Sequence, residues 1–372
     1  MRLATCDPTV TLSWISLADF RSYSELHWSP DPGINILVGN NGAGKTNLLE
    51  GVAYLASLRS LRGAPDEALV AEPAASAVVR GEVTKGEGTA LIEVEIKRRG
   101  GRRARLDGKS LQRTADLLGI LRVVAFLPED LDLVKGAPSG RRDLLDDLAV
   151  QLWPAAHHDQ SEYERSLRQR NAYLKSGERD QLTLDVWDTR LAQAGARLMS
   201  RRARAAAALT ALVTEVYTRV AVRESQVAIE YESDWGGSLD PSTPPSDWTA
   251  ALIEALAARR RADLELRLTG AGPHRDDPVL HLDGRPARHQ SSQGEQRTMA
   301  LALRIAAHHA IADQVGVDPL LLLDDVFSEL DPSRAEALTS ALPGAQILIT
   351  TTRPEEVPLE GKVWRVEPGL VR

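Results

Sequence analysis

The stretch Gly39-Asn40-Asn41-Gly42-Ala43-Gly44-Lys45-Thr46 fits G-x-x-x-x-G-K-[ST], and it constrains this chain more than any other feature. It follows an almost wholly apolar run, Ile34 to Val38, of the kind that forms a strand buried on both faces, and from Lys45 to Leu58 the pattern turns helical. Strand, glycine-rich turn and helix start are the context that such a loop requires. Glycines let backbone N–H groups point inward at a phosphate, and the following helix presents the positive end of its dipole. Lys45 then bridges the outer phosphates and the Thr46 hydroxyl ligates Mg²⁺. A random chain of this size would match the pattern about once in a hundred. The expectation is a nucleotide site made of Gly39, Asn40, Asn41, Gly42, Ala43, Gly44, Lys45 and Thr46, with ATP and Mg²⁺ as its cofactors.

A second chemical landmark lies far along the chain. Leu320 to Leu323 run directly into Asp324 and Asp325. An apolar strand that ends in carboxylates delivers them to the carboxyl edge of a sheet, where α/β proteins bind ligands. Asp324 is the natural partner of the magnesium held by Thr46, and Asp325 can orient or deprotonate the attacking water. The competing reading is an Asp that caps the next helix. Before this strand, Ser291-Ser292-Gln293-Gly294-Glu295-Gln296-Arg297 precedes a helical run expected from Thr298 to Ala312. Alone, that stretch would signal no more than a helix cap.

Alternation from Thr11 to Leu17 predicts a strand, and residues 77–106 predict an antiparallel meander with turns at Gly100-Gly101 and Asp107-Gly108. From Leu144 to Val220 the apolar spacing is helical. Leu184, Trp187, Leu191, Ala194 and Leu198 form one stripe, continued by Leu209, Leu212, Val216 and Val220, while Pro154 and Gly177 interrupt the helices. Residues 234–248 read as a loop, and a last helix is expected from Ala250 to Arg261. Strands and helices then alternate to the end. The fold class expected is α/β, with a head built from residues 1–125 and 262–372 and a helical insert domain at 126–261.

The chain has 372 residues, a net charge of −7 and a pI near 5.7, so a wholly basic nucleic-acid coat protein is excluded and a local basic patch is not. Three arginine clusters fit either a solvated face or DNA contact: Arg98, Arg99, Arg102, Arg103 and Arg105; Arg201, Arg202 and Arg204; and Arg259, Arg260 and Arg261. The single cysteine, Cys6, cannot form an internal disulfide. No apolar stretch has the length of a signal core or a membrane span, so a cytoplasmic location without membrane contact is the default.

Taken in order, GNNGAGKT, SQGEQ and LLLLDD followed by Ser328-Glu329-Leu330-Asp331 resemble the phosphate loop, signature and acidic strand of ATP-binding-cassette ATPases. The chain further resembles the RecF family through Phe20-Arg21-Ser22-Tyr23, Phe126-Leu127-Pro128-Glu129-Asp130, Gly140 to Asp146 and Gly272-Pro273-His274-Arg275-Asp276-Asp277. Met1 to about Val10 lie outside that likeness. The resemblance implies a Rad50- and SMC-like head with an inserted helical arm, and a DNA-repair protein that binds single-stranded and gapped or duplex DNA. It also implies partners RecO and RecR, through which RecA is loaded. It adds Arg21, Ser292, Gln293 and Gly294 to the nucleotide contacts. Ser292 and Gly294 of one copy would meet the γ-phosphate held by Lys45 of another, so that two ATP molecules glue a homodimer which hydrolysis releases.

Some positions depart from the superfamily pattern. Asp325 stands where many cassette ATPases have Glu, and Thr350 and Thr351 stand where they have a histidine. Both changes predict a slow ATPase suited to timing, since a threonine hydroxyl can donate to phosphate but cannot carry charge. Glu295 replaces an expected glutamine in the signature. Arg275 is expected near the nucleotide or the dimer seam, although Gly272-Pro273 also reads as a simple turn. Arg62 is a candidate phosphate contact. Glu129 falls about where cassette ATPases place their glutamine loop, or else opens a helix. An SMC or Rad50 head with a short arm is the nearest alternative. A transporter subunit fits less well, because it would lack the long helical insert.

Overall fold

The computed structural model describes residues 10–372 apart from 179 and 239; Cys6 and the question of an N-terminal extension lie outside them. The described chain forms two compact units. One comprises the described residues up to Asp130, Val216–Glu224 and Leu301–Arg372, and the other comprises Leu131–Glu215 and Ser225–Ala300. Residues 262–300, which include the signature, are thus grouped with the second unit.

The first unit is organised by a six-stranded sheet. Its order is Leu370–Val371, Lys362–Glu367, Ile34–Val38, Ile347–Thr351, Leu320–Asp324 and Val123–Phe126, parallel throughout except at the Leu370–Val371 edge. Leu320–Asp324 and Ile347–Thr351 are buried at every position, which is why both read as unbroken apolar runs. Register pairs Thr351 with Val38, Asp324 with Thr350, and Leu323 with Phe126. Four parallel strands therefore finish along one edge, and the phosphate loop leaves from that edge.

A second six-stranded sheet is antiparallel and contains the expected meander, in the order Tyr23–Trp28, Val10–Phe20, Ser76–Lys85, Gly88–Lys97, Arg102–Leu106 and Lys109–Ser110. Gly100-Gly101 and Asp107-Gly108 both turn with positive φ at each residue, as tight hairpins demand. Register slips between Leu12 and Trp14. There the fully buried Gln346 substitutes for a strand neighbour: its side chain accepts from Leu12 N at 2.8 Å and donates to the Leu12 and Asp31 carbonyls. The strand Tyr23–Trp28 reaches only as far as the Ile15–Trp28 pair, so the Leu12 backbone groups beyond it are satisfied by Gln346.

The second unit is built on the helices Pro138–Leu152, Ala156–Ser176, Pro245–Leu266 and most of Gln181–Ala221. Leu184, Leu191, Ala194 and Leu198 are buried as the stripe predicts, whereas Trp187 is only half-buried. Its neighbour Asp188 is buried instead, because the fully enclosed Arg170 donates to it at 2.7 Å and to Asp263 Oδ2 at 2.8 Å. The helix expected at Ala250–Arg261 is longer, Pro245–Leu266, since Pro245 occupies the first helical position, where a missing N–H costs nothing. The expected 234–248 loop is irregular over most of its length, but it gives up Gly237–Ser238 to a strand and its last four residues to this helix. This unit also holds a four-stranded sheet of Gly237–Ser238, Val227–Ser233, Asp277–Leu282 and Arg285–Pro286, which sequence reasoning missed.

Candidate nucleotide site

The phosphate loop is held by steric fit as well as by conformational freedom. Gly44 has φ +106°, and a Cβ there would lie 2.9 Å from the Tyr23 hydroxyl, which donates to the Gly44 carbonyl. At Gly39 a Cβ would lie 2.4 Å from the Val366 carbonyl oxygen, so the strand Lys362–Glu367 forbids any side chain. The helix Lys45–Ser57 begins immediately after Gly44. Its buried Glu50 accepts from Arg21 Nε at 2.7 Å and from Arg21 Nη2 at 3.1 Å. Arg21 fastens the Phe20–Tyr23 turn to the phosphate-loop helix.

That cleft has a volume of about 450 Å³, and Gly42, Lys45, Thr46, Asp324 and Asp325 line it. Lys45 is 8% exposed, and its ammonium donates to the Gly39 carbonyl at 2.7 Å and the Asn40 carbonyl at 3.1 Å. Burial holds its pKa below the ordinary lysine value, against the pull of Asp325 and Asp324. Thr46 Oγ1 donates to Asp324 Oδ2 at 2.8 Å. The sheet edge and the loop thus bring together two residues separated by 278 positions.

Asp325 sits at φ 52°, and its backbone N–H donates to Thr350 Oγ1 at 3.0 Å. Thr350 in turn donates to Asp324 Oδ1. Its proton is held by the acidic strand, and the residue lines the cleft. Thr351 is likewise engaged, donating to the Arg353 carbonyl at 3.0 Å. Asp325 Oδ1 is buried and has no hydrogen-bond partner, which leaves it free to accept one. Arg62 and Glu129 also line the cleft; Glu129 lies on the short turn Pro128–Leu131, so it opens a helix and faces the site at once.

The described residues contain no cluster of three or more His, Cys, Asp or Glu able to hold a metal by themselves. Thr46 and Asp324 offer two hard oxygens beside an anion-binding loop, which suits Mg²⁺ completing its shell with phosphate and water. The residues present fit the ion.

Ser292 and Gln293 are exposed, and both lie in the second unit. The signature does not precede its helix as expected, since the helix runs Gln293–Val315 and takes in Gln293, Gly294 and Glu295. The cause is a reciprocal cap: Glu295 Oε2 accepts from Ser292 N at 2.8 Å and from Ser292 Oγ at 2.9 Å, while Ser292 Oγ accepts from Glu295 N at 3.3 Å. The unexpected glutamate therefore has a local role.

His274 accepts from or donates to Tyr163 through Nδ1 at 2.6 Å and meets the Thr269 carbonyl through Nε2 at 3.1 Å. Arg275 N donates to Gly272 O at 2.8 Å, the turn that Gly272-Pro273 suggests, and the Arg275 side chain is exposed. Most of the clustered arginines are spent internally. Arg98 donates to the Val70, Ala71 and Ala74 carbonyls, Arg102 pairs with Asp66, Arg202 with Asp146, and Arg260 with Asp185 and Asp188. Arg204, stacked 4.3 Å from the Trp153 ring centre, remains exposed.

A phosphate loop and an acidic strand on a unit assembled from both ends of the chain, with a helix-capping signature between them in sequence, define an ATP-binding-cassette ATPase head of the SMC kind. Residues 11–368 match the RecF/RecN/SMC N terminal domain family. The chain belongs to that family and, within it, to RecF. It is 42% identical over 350 residues to the DNA replication and repair protein RecF of Acidothermus cellulolyticus, covering 93% of this chain and 94% of that one. To the Streptomyces avermitilis RecF it is 41% identical over 374 residues, covering 96% and 98%. The structure of the recombination mediator protein RecF with ATP superposes with a TM-score of 0.89 at 30% identity, covering 98% of this chain and 97% of that one. An Smc head from Pyrococcus furiosus, bound to the C-terminal domain of ScpA, gives 0.55 at 14% identity over 98% and 96%, a likeness of fold alone.

Proposed function

We propose that this chain is an ATP-dependent, DNA-binding recombination mediator that closes into a homodimer on ATP and, with RecO and RecR, promotes loading of RecA at gaps. The observation that carries the reading is the Lys45–Thr46–Asp324 constellation around one cleft, in a chain that matches an ATP-bearing recombination mediator over nearly its whole length.

In this reading Lys45 leaves the Gly39 and Asn40 carbonyls for the outer phosphates, and the loop N–H groups hold the oxygens between them. Thr46 and Asp324 hold Mg²⁺, which when bound neutralises charge on the phosphates. Asp325 Oδ1, without a partner, accepts a proton from the attacking water. Asp is one methylene shorter than Glu, and Thr350 is bound to Asp324, so turnover is slow and acts as a timer. DNA speeds it. Ser292, which is exposed, and Gly294 meet the γ-phosphate of a second copy, so ATP holds two heads together and its loss releases them. The head drawn from both chain ends grips nucleotide, and the work is cytoplasmic. No helix among the described residues is long and apolar enough to cross a membrane.

Sedimentation velocity with ATP and Mg²⁺, with and without gapped DNA, tests this directly. A shift to twice the monomer mass that needs nucleotide, and is retained on DNA, is the expected result. A monomer at saturating ATP across micromolar protein overturns the switch.

A further inference from the structure

Away from the nucleotide cleft, the first unit contains a cavity of about 350 Å³ lined by Val83, Ile120, Val315 and Val317, with Lys85 at its exposed rim. Arg122 also lines it. This side chain is 8% exposed, and its Nη1 is buried without a hydrogen-bond partner. Among the described residues no Asp or Glu lines the cavity. Burial alone pushes the guanidinium below its ordinary pKa range, with no carboxylate to offset it. An enclosed guanidinium with unused donors is costly, and it persists where an anion completes it.

We infer that this cavity is a binding site for a carboxylate carried on a short aliphatic body, with Arg122 as its anion anchor. The valine and isoleucine walls suit an apolar stem, whereas inorganic phosphate or a nucleic-acid backbone would leave them facing a hydrated ion. The volume is at the small end of ligand sites, enough for a few carbons and a head group. Two sources share this chemistry: a free aliphatic carboxylate, and the carboxyl end of a peptide finishing in an aliphatic residue. Val315 is the last residue of the helix that begins in the signature, so an occupant would press on the end of that helix.

Methyl NMR on the full-length valine-labelled protein tests the inference with hexanoate and N-acetyl-leucine as probes, and with hexanol, N-acetyl-leucinamide and inorganic phosphate as controls. Saturable shifts of the Val83, Val315 and Val317 methyls with hexanoate support a free-carboxylate ligand; shifts with N-acetyl-leucine alone support a peptide terminus. The neutral controls should bind at least ~10-fold more weakly. Arg122→Met should abolish the shifts and raise the thermal midpoint by ~2 °C, because it removes a buried cation with an unmet bond. Should that variant fold poorly, Val317→Phe fills the cavity while keeping Arg122, and it should block both probes. Absence of shifts with either carboxylate, or equal shifts with phosphate, overturns the assignment.

Discussion

Arg304 and Asp130 form a two-bond ion pair, Nη2 to Oδ1 at 2.6 Å and Nε to Oδ2 at 3.1 Å, with both side chains largely shielded. Asp130 also accepts from Leu127 N at 2.9 Å and follows Glu129, which faces the nucleotide cleft. Arg304 rides on the helix that starts in the signature. The pair therefore ties a cleft-facing turn to that helix. Arg304→Met strands the Asp130 charge and should lower stability by about 3 kcal/mol, whereas Arg304→Met with Asp130→Leu should recover much of it. Chemical denaturation of the four proteins of this cycle measures both; equal losses in the single and double variants would refute the coupling.

Lys45→Met should weaken ATP binding at least ~100-fold, about 2.7 kcal/mol, by removing the cation that meets the outer phosphates. Its effect on the nucleotide-free fold should be small, because burial already disfavours that charge and only two loop carbonyls accept from it. Titration with a fluorescent ATP analogue, beside a thermal melt, separates the two effects. Asp324→Asn should leave binding within about tenfold yet stop turnover, read as phosphate release.

Glu295→Ala should cost about 1 kcal/mol by opening the cap on Ser292, while Glu295→Gln keeps most of it. Ser292→Arg should retain ATP binding but abolish ATP-dependent pairing. Glu295→Ala serves as its control, since it loses the same cap without adding bulk; if both variants pair equally well, the cross-subunit role of Ser292 is discarded.

Two buried histidines set an acid limit. Burial lowers His274 to about 4 and His308 to about 3, each from a usual value near 6.5. Both are neutral in the fold and take up protons on unfolding, so the stability they contribute is present above pH 6.5 and lost as the pH falls toward 4. Burial raises Asp276 to about 6, which acts oppositely: its contribution is present below about pH 4 and lost as the pH rises through 6. Between pH 6.5 and 6 the histidines act almost alone. His274→Gln should reduce the acid-side slope of unfolding free energy by up to about 1.4 kcal/mol per pH unit, measured by urea melts from pH 7 to 5.

Sequence alone determined the elements whose signal is local. Ile34–Val38, the loop through Thr46 and the run Leu320–Asp324 each state their role within a few residues, because a strand buried on both faces must be apolar and a phosphate loop must bend. Pairing Thr46 with Asp324 followed from the motif types, although 278 positions separate them. What tertiary structure alone decided depends on partners that no local pattern names. Arg21 turned to Glu50, Thr350 gave its proton to Asp324, and Asp188 went inward to meet Arg170. Val227–Ser233 became a strand because Asp277–Leu282, some fifty residues on, pairs along most of its length. Burial fixes such choices: a polar group withdrawn from water must find its complement wherever the fold brings one, and the chain order carries no record of that neighbour.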